Sequence, residues 1–273
     1  MTSRPIRAPY LREMKSRGEA IAVLTAYDAV TARLFEQSGV DVILVGDSVG
    51  MTMLGFTSTI PVTVNMMVHH TQAVVRGTSR ALVIADMPFL AAQVSVAEAV
   101  ANAGRLIQEG GAAAVKIEGG RPVVDTVRRL VDIGIPVMGH LGLQPQSVHQ
   151  VGGFKKRATG REEADQLLED ARALEDAGAF AIVLESIPAD VAAAVTRLLS
   201  IPTIGIGAGP WCDGQVLVGH DMLGLSGDAP SFARQYARLA DAIGTAATAY
   251  VRDVKDGRFP ERAVPAGTAH ETK

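Results

Sequence analysis

A chain of 273 residues, 48% of them hydrophobic and only 4% aromatic, can bury a core of aliphatic side chains, which excludes an intrinsically disordered chain. The formal net charge of −3 gives no reason to expect a nucleic acid as partner, and no stretch approaches the ~18 apolar residues of a membrane span. The single cysteine, Cys212, excludes an internal disulfide and a cysteine-rich zinc site, and it suits a cytoplasmic location.

Short apolar runs alternate along the chain with longer amphipathic segments. The apolar runs predict strands at about 20–26, 41–46, 81–86, 113–118, 136–140, 180–185, 202–206 and 216–221. Helical patterns lie between them at about 62–76, 96–108, 123–132, 162–176 and 189–199. Several helices close on a glycine, as in EQSG, QEGG and EDAG, which is the expected chemistry of a helix C-terminus.

Repeated strand–helix units predict a parallel sheet, because each helix returns the chain to start another parallel strand. With this number of units we expect closure into a (β/α)8 barrel rather than an open sheet. No linker or shift in composition marks a domain boundary. We therefore expect one barrel domain over 1–260 with an N-terminal extension, and a flexible tail at 261–273.

Polar side chains follow five of the predicted strands. All strands of a parallel barrel point the same way, so the residues at their carboxyl ends gather at one rim, where active sites of this fold lie. The residues placed there are Asp47, Ser48, Asp86, Glu118, His140 and Glu185. The sequence therefore predicts one site built from distant parts of the chain.

Several carboxylates brought close together repel one another unless a cation neutralises them, and oxygen ligands suit Mg²⁺ or Mn²⁺. Mg²⁺ usually keeps one or two protein carboxylates, so we place Asp47 and Asp86 on the metal, with Glu118 either binding it or supporting its ligands. The alternative is that these acids cap the helices that follow them.

Lys116 is two residues from Glu118 on the same strand, so both side chains point to the same face. A buried ammonium must meet an anion, either a neighbouring carboxylate or the carboxylate or enolate of a substrate. A Schiff-base role, as in metal-free aldolases, is the rival interpretation. The acidic ring favours the metal-dependent route.

Glu185 ends an apolar strand, where a carboxylate can serve as a general base near neutral pH. A structural salt bridge to Lys116 is its alternative role. His140 either donates to a developing oxyanion or satisfies a loop carbonyl.

Two loop segments are further candidates. The segment GIGAGP at 205–210 could bring backbone N–H groups to a ligand, and the basic run FKKRATGR at 154–161 is either a solvated loop or an anion clamp. Together these groups suit carbon–carbon bond formation or cleavage next to the carbonyl of a 2-oxo acid.

Eight motifs between about residue 8 and about residue 260 resemble, in unbroken order, those of the ketopantoate hydroxymethyltransferase family. They are LTAYD (24–28), VGDSVGM (45–51), IADMPF (84–89), VKIEGG (115–120), GHLGLQPQSV (139–148), LLEDARALEDAGA (167–179), VLES (183–186) and IGIGAG (204–209). The resemblance implies a (β/α)8 barrel related to phosphoenolpyruvate/pyruvate enzymes, Mg²⁺, a homo-oligomer such as a decamer, and 5,10-methylenetetrahydrofolate as the one-carbon donor.

The resemblance also implies a reaction. VLES gives Glu185 as the base that takes the C3 proton of 3-methyl-2-oxobutanoate, and GHLGL gives His140 as a supporting substrate contact. The Mg²⁺-stabilised enolate then attacks the methylene carbon of the folate and yields 2-dehydropantoate, in pantothenate synthesis. The folate site itself carries no readable motif.

Other site roles follow from the same motifs. VGDSVGM implies Asp47 as a metal ligand and substrate contact and Ser48 as a substrate contact, and IADMPF implies Asp86 on both metal and substrate. VKIEGG implies Lys116 for the substrate carboxylate or enolate and Glu118 for the metal.

Two other functions are alternatives, and parts of the sequence differ from the family's pattern. A lyase or mutase of the phosphoenolpyruvate/isocitrate lyase kind would share the barrel and the acidic rim but usually carries a catalytic cysteine in a mobile loop, and no cysteine lies in the acidic motifs here. A non-catalytic barrel that binds a metabolite is the second rival. One departure is Trp211 and Cys212, which stand where the family usually has smaller or more polar residues, and another is the tail after RFPE, which lacks the aromatic ending expected of the family.

Overall fold

Eight parallel strands pair in chain order and close into a barrel, with the last strand hydrogen-bonded to the first, in a computed structural model that describes residues 4–227 and 229–260. The strands are β1 (Ile21–Thr25), β2 (Val42–Val45), β3 (Leu82–Asp86), β4 (Ala114–Glu118), β5 (Val137–Gly142), β6 (Ala181–Glu185), β7 (Thr203–Ile206) and β8 (Gly214–Leu217). The predicted (β/α)8 barrel is confirmed. The segment 261–273, predicted to be a flexible tail, lies outside the described residues.

Helices surround the barrel and connect the strands from β1 to β7, whereas β7 leads into β8 without a helix. They are α1 (Ala8–Ser16), α2 (Ala29–Gln37), α3 (Val49–Thr52), α4 (Val64–Gly77), α5 (Val96–Gln108), α6 (Val124–Asp132), α7 (Val148–Val151), α8 (Arg161–Asp176), α9 (Ala189–Leu198), α10 (Gly219–Met222) and α11 (Leu239–Lys255). The predicted helices match α4, α5, α6, α8 and α9 to within two residues at each end. Gly39, Gly111 and Gly178 follow α2, α5 and α8 with φ of 95°, 80° and 96°, so the predicted glycine endings are confirmed.

The alternation of side chains along each strand divides the core in two. In β2, Val42 and Leu44 belong to the cluster inside the barrel, whereas Ile43 and Val45 belong to the cluster between the strands and the helices. Both faces are therefore apolar, as expected of a parallel sheet. Each fully buried Val, Leu or Ile side chain contributes roughly 1.5–3 kcal/mol to the free energy of folding.

The eighth strand differs from the prediction. It spans Gly214–Leu217 rather than 216–221, and residues 219–222 form α10. The backbone of β1 lies close to a glycine at both places. A Cβ on Gly214 would lie 2.5 Å from the carbonyl oxygen of Ile21, and a Cβ on Gly219 would lie 2.4 Å from the carbonyl oxygen of Thr25. The first glycine lets β8 approach β1, and the second lets the start of α10 approach the end of β1.

Helix α1 closes the barrel at the amino ends of its strands. Leu11 and Met14 of α1 join the inner cluster, and Lys15 Nζ lies 2.9 Å from Asp213 Oδ2, just before β8. The N-terminal extension therefore fills one end of the barrel and leaves the carboxyl ends of the strands for a site.

Two features of the helices concern membrane insertion and exposed apolar surface. Within residues 4–227 and 229–260, every helix is too short or too polar to pass through a lipid bilayer. Of the described side chains, none on α11 is buried, and Leu239, Ile243, Tyr250 and Val254 expose large apolar groups there.

Candidate active site

All the polar residues predicted at the rim lie together at the carboxyl ends of β2 to β6. Asp47, Asp86, Lys116, Glu118 and His140 are each at most 4% exposed, and the Glu185 side chain is 15% exposed. The structure thus brings together all the residues that the sequence assigned to one site. The role of each in binding or catalysis stays a prediction.

Strand register explains why these groups meet. Asp86 is opposite Lys116 in the β3–β4 pairing, and Glu118 is opposite His140 in the β4–β5 pairing. Asp86, Lys116 and His140 each follow an inner-cluster residue by two positions, as Asp86 follows Ile84, and Glu118 follows Lys116 in the same alternation. The alternation that fills the barrel with aliphatic side chains therefore turns these polar groups inward when it reaches the rim.

Contacts run without interruption from Asp47 to Glu185. The Asp47 backbone N–H donates to Asp86 Oδ2 at 3.0 Å, and Asp86 Oδ1 lies 3.0 Å from Lys116 Nζ. Lys116 Nζ is 3.1 Å from His140 Nδ1, and His140 Nε2 is 3.2 Å from Glu185 Oε2. The alternative role of Glu185, a structural salt bridge to Lys116, is therefore not supported, since Lys116 pairs with Asp86 and Glu185 faces His140.

Two carboxyls of this network carry raised pKa values. Burial raises the pKa of Asp47 well above its ordinary range, and the neighbouring Asp86 and Glu118 carboxylates raise it further. Burial also raises the pKa of Asp86, although Lys116 and the Asp47 backbone N–H counteract that effect. A cation next to these two carboxylates would relieve both costs.

Lys116 is held as an ammonium. Burial lowers its pKa, but the carboxylates of Asp86, Glu118 and Asp47 raise it by more, so the pKa lies above its ordinary value. Schiff-base formation needs a neutral amine, so this environment weighs against the Schiff-base interpretation.

His140 faces three charged groups at once. Burial and the Lys116 ammonium lower the pKa of His140, but the Glu118 and Glu185 carboxylates raise it by more, to about 9. That pKa favours the imidazolium, whereas the 3.1 Å approach of Lys116 Nζ to Nδ1 favours the neutral ring. We favour the imidazolium, because its two N–H groups then face Glu118 and Glu185, and Lys116 keeps Asp86 as its partner.

Gln146 is a buried part of the site that the sequence interpretation missed. Its backbone N–H donates to Glu118 Oε2 at 3.1 Å, and its side-chain amide donates to Asp47 Oδ2 at 2.8 Å and to Met87 O at 3.0 Å. Gln146 comes from the loop after β5, inside the motif GLQPQS, and only that motif marks it. It links the Asp47 and Glu118 carboxylates.

The predicted metal ligands fit a hard cation in part. Among the described residues, buried Asp86 Oδ1 lacks a well-aligned hydrogen-bond donor, although Lys116 Nζ is 3.0 Å away. Glu118 instead directs its oxygens to Gln146 and His140, and no three His, Cys, Asp or Glu side chains converge as a metal site in the part of the chain that the structure describes. A pair of ligands, Asp47 and Asp86, matches the small number of protein carboxylates that Mg²⁺ uses.

The helix-cap alternative is not supported. Helix α3 after Asp47 begins at Val49 with Ser48 at its N-cap position, and α5 after Asp86 is capped by Ser95, which accepts from Glu98 N. Asp86 Oδ2 accepts instead from the Asp47 backbone N–H. These acids are thus available for other partners.

Cys212 lies away from this network. It sits just before β8, which places Cys212 at the end of the barrel opposite the rim. Burial raises its pKa, so it stays a thiol. Trp211 beside it is 63% exposed.

The two loop motifs named from sequence lie near the rim. Gly207 and Gly209 in GIGAGP have φ of 61° and 81°, so the chain turns tightly after β7, as glycine permits. In FKKRATGR, the Arg157 backbone N–H donates to Ser186 O at 2.9 Å, which ties that loop to the residue after Glu185. Whether either binds an anion stays a prediction.

Comparison with known proteins gives consistent matches. A family model for ketopantoate hydroxymethyltransferase matches residues 5–262. The 3-methyl-2-oxobutanoate hydroxymethyltransferase of Moorella thermoacetica is 55% identical over 258 residues, which cover 94% of this chain and 96% of that protein. The protein of the same name from Syntrophus aciditrophicus is 54% identical over 260 residues, covering 95% and 96%.

Solved structures with the same barrel are more distant in sequence. A 2,3-dimethylmalate lyase of the PEP mutase/isocitrate lyase superfamily has a TM-score of 0.59 at 19% identity and covers 97% of this chain and 91% of its own. Phosphonopyruvate hydrolase in complex with oxalate and Mg²⁺ has a TM-score of 0.62 at 16% identity, covering 95% and 91%. At this identity the likeness concerns the fold alone.

Proposed function

The chain belongs to the ketopantoate hydroxymethyltransferase family and is an enzyme of the transferase class, and we propose that it transfers a hydroxymethyl group from 5,10-methylenetetrahydrofolate to 3-methyl-2-oxobutanoate. The product is 2-dehydropantoate, which serves pantothenate synthesis. The observation that supports the site of this reaction is the buried network from Asp47 through Lys116 and His140 to Glu185.

Substrate binding is the first task of the network. The 2-oxo acid has a carboxylate and a keto oxygen, and the Lys116 ammonium and the Ser48 hydroxyl can donate to them. Mg²⁺ held by Asp47 and Asp86, with Glu118 supporting these ligands through Gln146, would supply positive charge opposite the two substrate oxygens. Neither carboxylate is free to rotate, since Gln146 holds Asp47 and the Asp47 backbone holds Asp86.

Proton removal is the task of Glu185. Its carboxylate is partly exposed at the open end of the barrel, where it can reach C3 of a bound 2-oxo acid. His140 Nε2 lies 3.2 Å from Glu185 Oε2 and orients that carboxylate, while the Lys116 ammonium stabilises the negative charge that develops on the keto oxygen.

Carbon–carbon bond formation completes the reaction. The C3 carbon of the enolate bonds to the methylene carbon of the folate, the carbon–nitrogen bonds of that methylene break, and one water supplies the hydroxyl oxygen. The proton taken by Glu185 and a proton of that water return to the two folate nitrogens. Atoms then balance, with 2-dehydropantoate and tetrahydrofolate as products.

We propose a homo-oligomer, such as a decamer, in the cytoplasm. The exposed apolar side chains of α11 support self-association, because monomeric proteins rarely expose a contiguous apolar face of this kind. The single cysteine suits a reducing compartment.

Proton exchange at C3 of 3-methyl-2-oxobutanoate in D₂O, followed by NMR, tests the first half of the reaction. We expect exchange that needs Mg²⁺ and proceeds without folate. Glu185→Gln should slow it about 10²–10⁴-fold, as expected for the loss of a general base, while binding of the 2-oxo acid is kept. Glu162→Gln, on the exposed first turn of α8, is the matched control and should exchange normally.

Two results would contradict the proposal. Folded wild-type protein that catalyses no exchange, with Mg²⁺ and folate both present, would favour a non-catalytic barrel. Exchange that survives Glu185→Gln unchanged would assign the base to another residue.

A further inference from the structure

Three hydroxyl groups form a chain of hydrogen bonds that leads from the end of β8 to the rim. The Gly219 backbone N–H donates to Thr25 Oγ1 at 3.0 Å, Thr25 Oγ1 donates to Tyr27 Oη at 2.9 Å, and Tyr27 Oη lies 2.8 Å from Ser48 Oγ. Thr25 and Tyr27 are buried, at 3% and 1% exposure, and Ser48 is half-buried beside Asp47. The reaction described above assigns no task to Tyr27.

The positions of the protons follow from which groups can accept. A backbone N–H only donates, so Thr25 Oγ1 accepts from Gly219. Among the described residues, Tyr27 Oη is the acceptor within reach of the Thr25 hydroxyl proton, so the phenol oxygen accepts in turn. Either oxygen of the Tyr27–Ser48 contact could donate, and we assign the phenol proton to Ser48 Oγ because Tyr27 Oη already accepts from Thr25. In this direction Thr25 Oγ1 and Tyr27 Oη each accept one hydrogen bond and donate one.

The hydroxyl proton of Ser48, the last in the series, is available to donate to a ligand in the site. Ser48 Oγ already accepts from Tyr27, and among the described residues its side chain makes no capping bond to α3. Ser48 Oγ and Asp86 Oδ2 lie 2.7 and 3.5 Å from the point where a Cβ on Gly46 would sit, so the hydroxyl is next to the carboxylates of the rim. A side chain at position 46 would displace it.

Tyr27 is fixed in place on two sides. Its backbone carbonyl oxygen lies 2.8 Å from His70 Nδ1, and its ring lies 5.3 Å from the His220 ring. Burial raises the pKa of Tyr27, so its phenol keeps the proton that it donates. The Tyr27 phenol is therefore still a hydrogen-bond donor at neutral pH.

We propose that Tyr27 is a positioning residue, whose phenol hydroxyl donates to Ser48 Oγ and so turns the Ser48 proton toward a carboxylate oxygen of the 2-oxo acid. This inference rests on the proposed function. It makes position 48 a donor to the ligand, which matches an ionised carboxylate and would not match a ligand that presents an N–H or O–H there. Without the phenol hydroxyl, the Ser48 side chain loses the partner that holds its proton in place.

Tyr27→Phe tests the inference, since it removes one oxygen and keeps the ring. The Ser48 contact is made equally in the ground and transition states, so we expect KM for 3-methyl-2-oxobutanoate to rise about threefold to tenfold while kcat stays within about twofold. Calorimetric titration of 3-methyl-2-oxobutanoate into Mg²⁺-loaded protein without folate should show the same loss of affinity. Tyr10→Phe, on exposed α1, is the matched control and should change neither.

A double-mutant cycle separates positioning from general packing. In a Ser48→Ala background, Tyr27→Phe should have no further effect on KM or on binding, because Tyr27 acts through Ser48. The same fold-change in both backgrounds would overturn the inference, as would an unchanged KM in Tyr27→Phe itself.

A crystal structure of the wild type with 3-methyl-2-oxobutanoate gives an answer that does not depend on variants folding. We expect Ser48 Oγ within hydrogen-bond distance of both Tyr27 Oη and a substrate carboxylate oxygen, and any other orientation of Ser48 would overturn the inference. Wild-type protein that neither binds nor turns over the 2-oxo acid would end the proposed function and this inference with it. Normal wild-type behaviour with an unaffected Tyr27→Phe would end the inference alone.

Discussion

At the scale of single residues, one loop amide connects groups that the strands place apart. The Gln146 side chain donates to Asp47 Oδ2, and its backbone N–H donates to Glu118 Oε2. Burial and neighbouring carboxylates raise the pKa of Asp47, whereas the hydrogen bond from Gln146 lowers it. Gln146 therefore favours the ionised form of Asp47, which is the form that binds a metal.

Gln146→Leu should weaken metal binding while the fold is kept. Loss of a hydrogen-bond partner behind a metal ligand typically lowers metal affinity about 10–100-fold, and we expect a decrease in that range for Mn²⁺ or Mg²⁺. Calorimetric or EPR titration with Mn²⁺ measures it. Gln150→Leu, exposed on α7, should bind as the wild type does, and equal affinities in both variants would show that Gln146 does not support a metal site.

At the scale of elements, Glu36 of α2 hydrogen-bonds the backbone of residues 79–81, which lead into β3. Its carboxylate accepts from the backbone N–H groups of Ser79, Arg80 and Ala81 at 2.6–3.0 Å. Burial acts to raise the pKa of Glu36, but these donors lower it by more, so the pKa lies below its ordinary value of 4.5. The ionised carboxylate thus stabilises the folded protein.

Glu36→Ala should lower the free energy of unfolding by about 1–3 kcal/mol at pH 7, since three backbone N–H groups lose their acceptor. A carboxyl with a lowered pKa in the folded state contributes stability above its unfolded pKa and loses it as the pH falls through the folded pKa. The difference between variant and wild type should therefore shrink below about pH 4.5. Urea unfolding at pH 7 and in acid measures it. Exposed Glu13→Ala is the control, and a difference that does not change with pH would contradict this account.

Strand-borne and loop-borne parts of the site differ in how far sequence predicts them. Asp86 and Lys116 were predictable, because alternation and a common strand direction place them at one rim whatever the loops do. Gln146 was not, since its position depends on how a loop turns back over the barrel. The eighth strand was misplaced for a related reason, because its boundaries depend on close contacts of Gly214 and Gly219 with β1 rather than on hydrophobic pattern.

At the scale of the whole molecule, no side chain of α11 is buried among the described residues, although the Tyr250 ring lies 5.6 Å from the Phe259 ring. Its large apolar side chains Leu239, Ile243, Tyr250 and Val254 recur at helical spacing along one face. Covering an apolar face of this kind with another surface lowers the free energy, because apolar groups leave water. We propose that a second copy of the chain is that surface.

Ile243→Glu should disrupt the assembly, because a carboxylate would be buried in an apolar interface. We expect light scattering after size-exclusion chromatography to show a smaller particle than for the wild type at equal concentration. Thr248→Glu, on the opposite side of α11, should leave the mass unchanged. Wild-type protein that already runs as a monomer would contradict the proposed oligomer.

Five polar residues of the site belong to strands, which limits how the substrate range can be changed. They are Asp86, Lys116, Glu118, His140 and Glu185. These residues form the floor of the site, and their backbone positions are fixed by the pairing of the strands that carry them. Acceptance of a bulkier 2-oxo acid should therefore be sought in the connecting segments that wall the opening. Substitutions in the floor would be expected to abolish turnover before they widened selectivity.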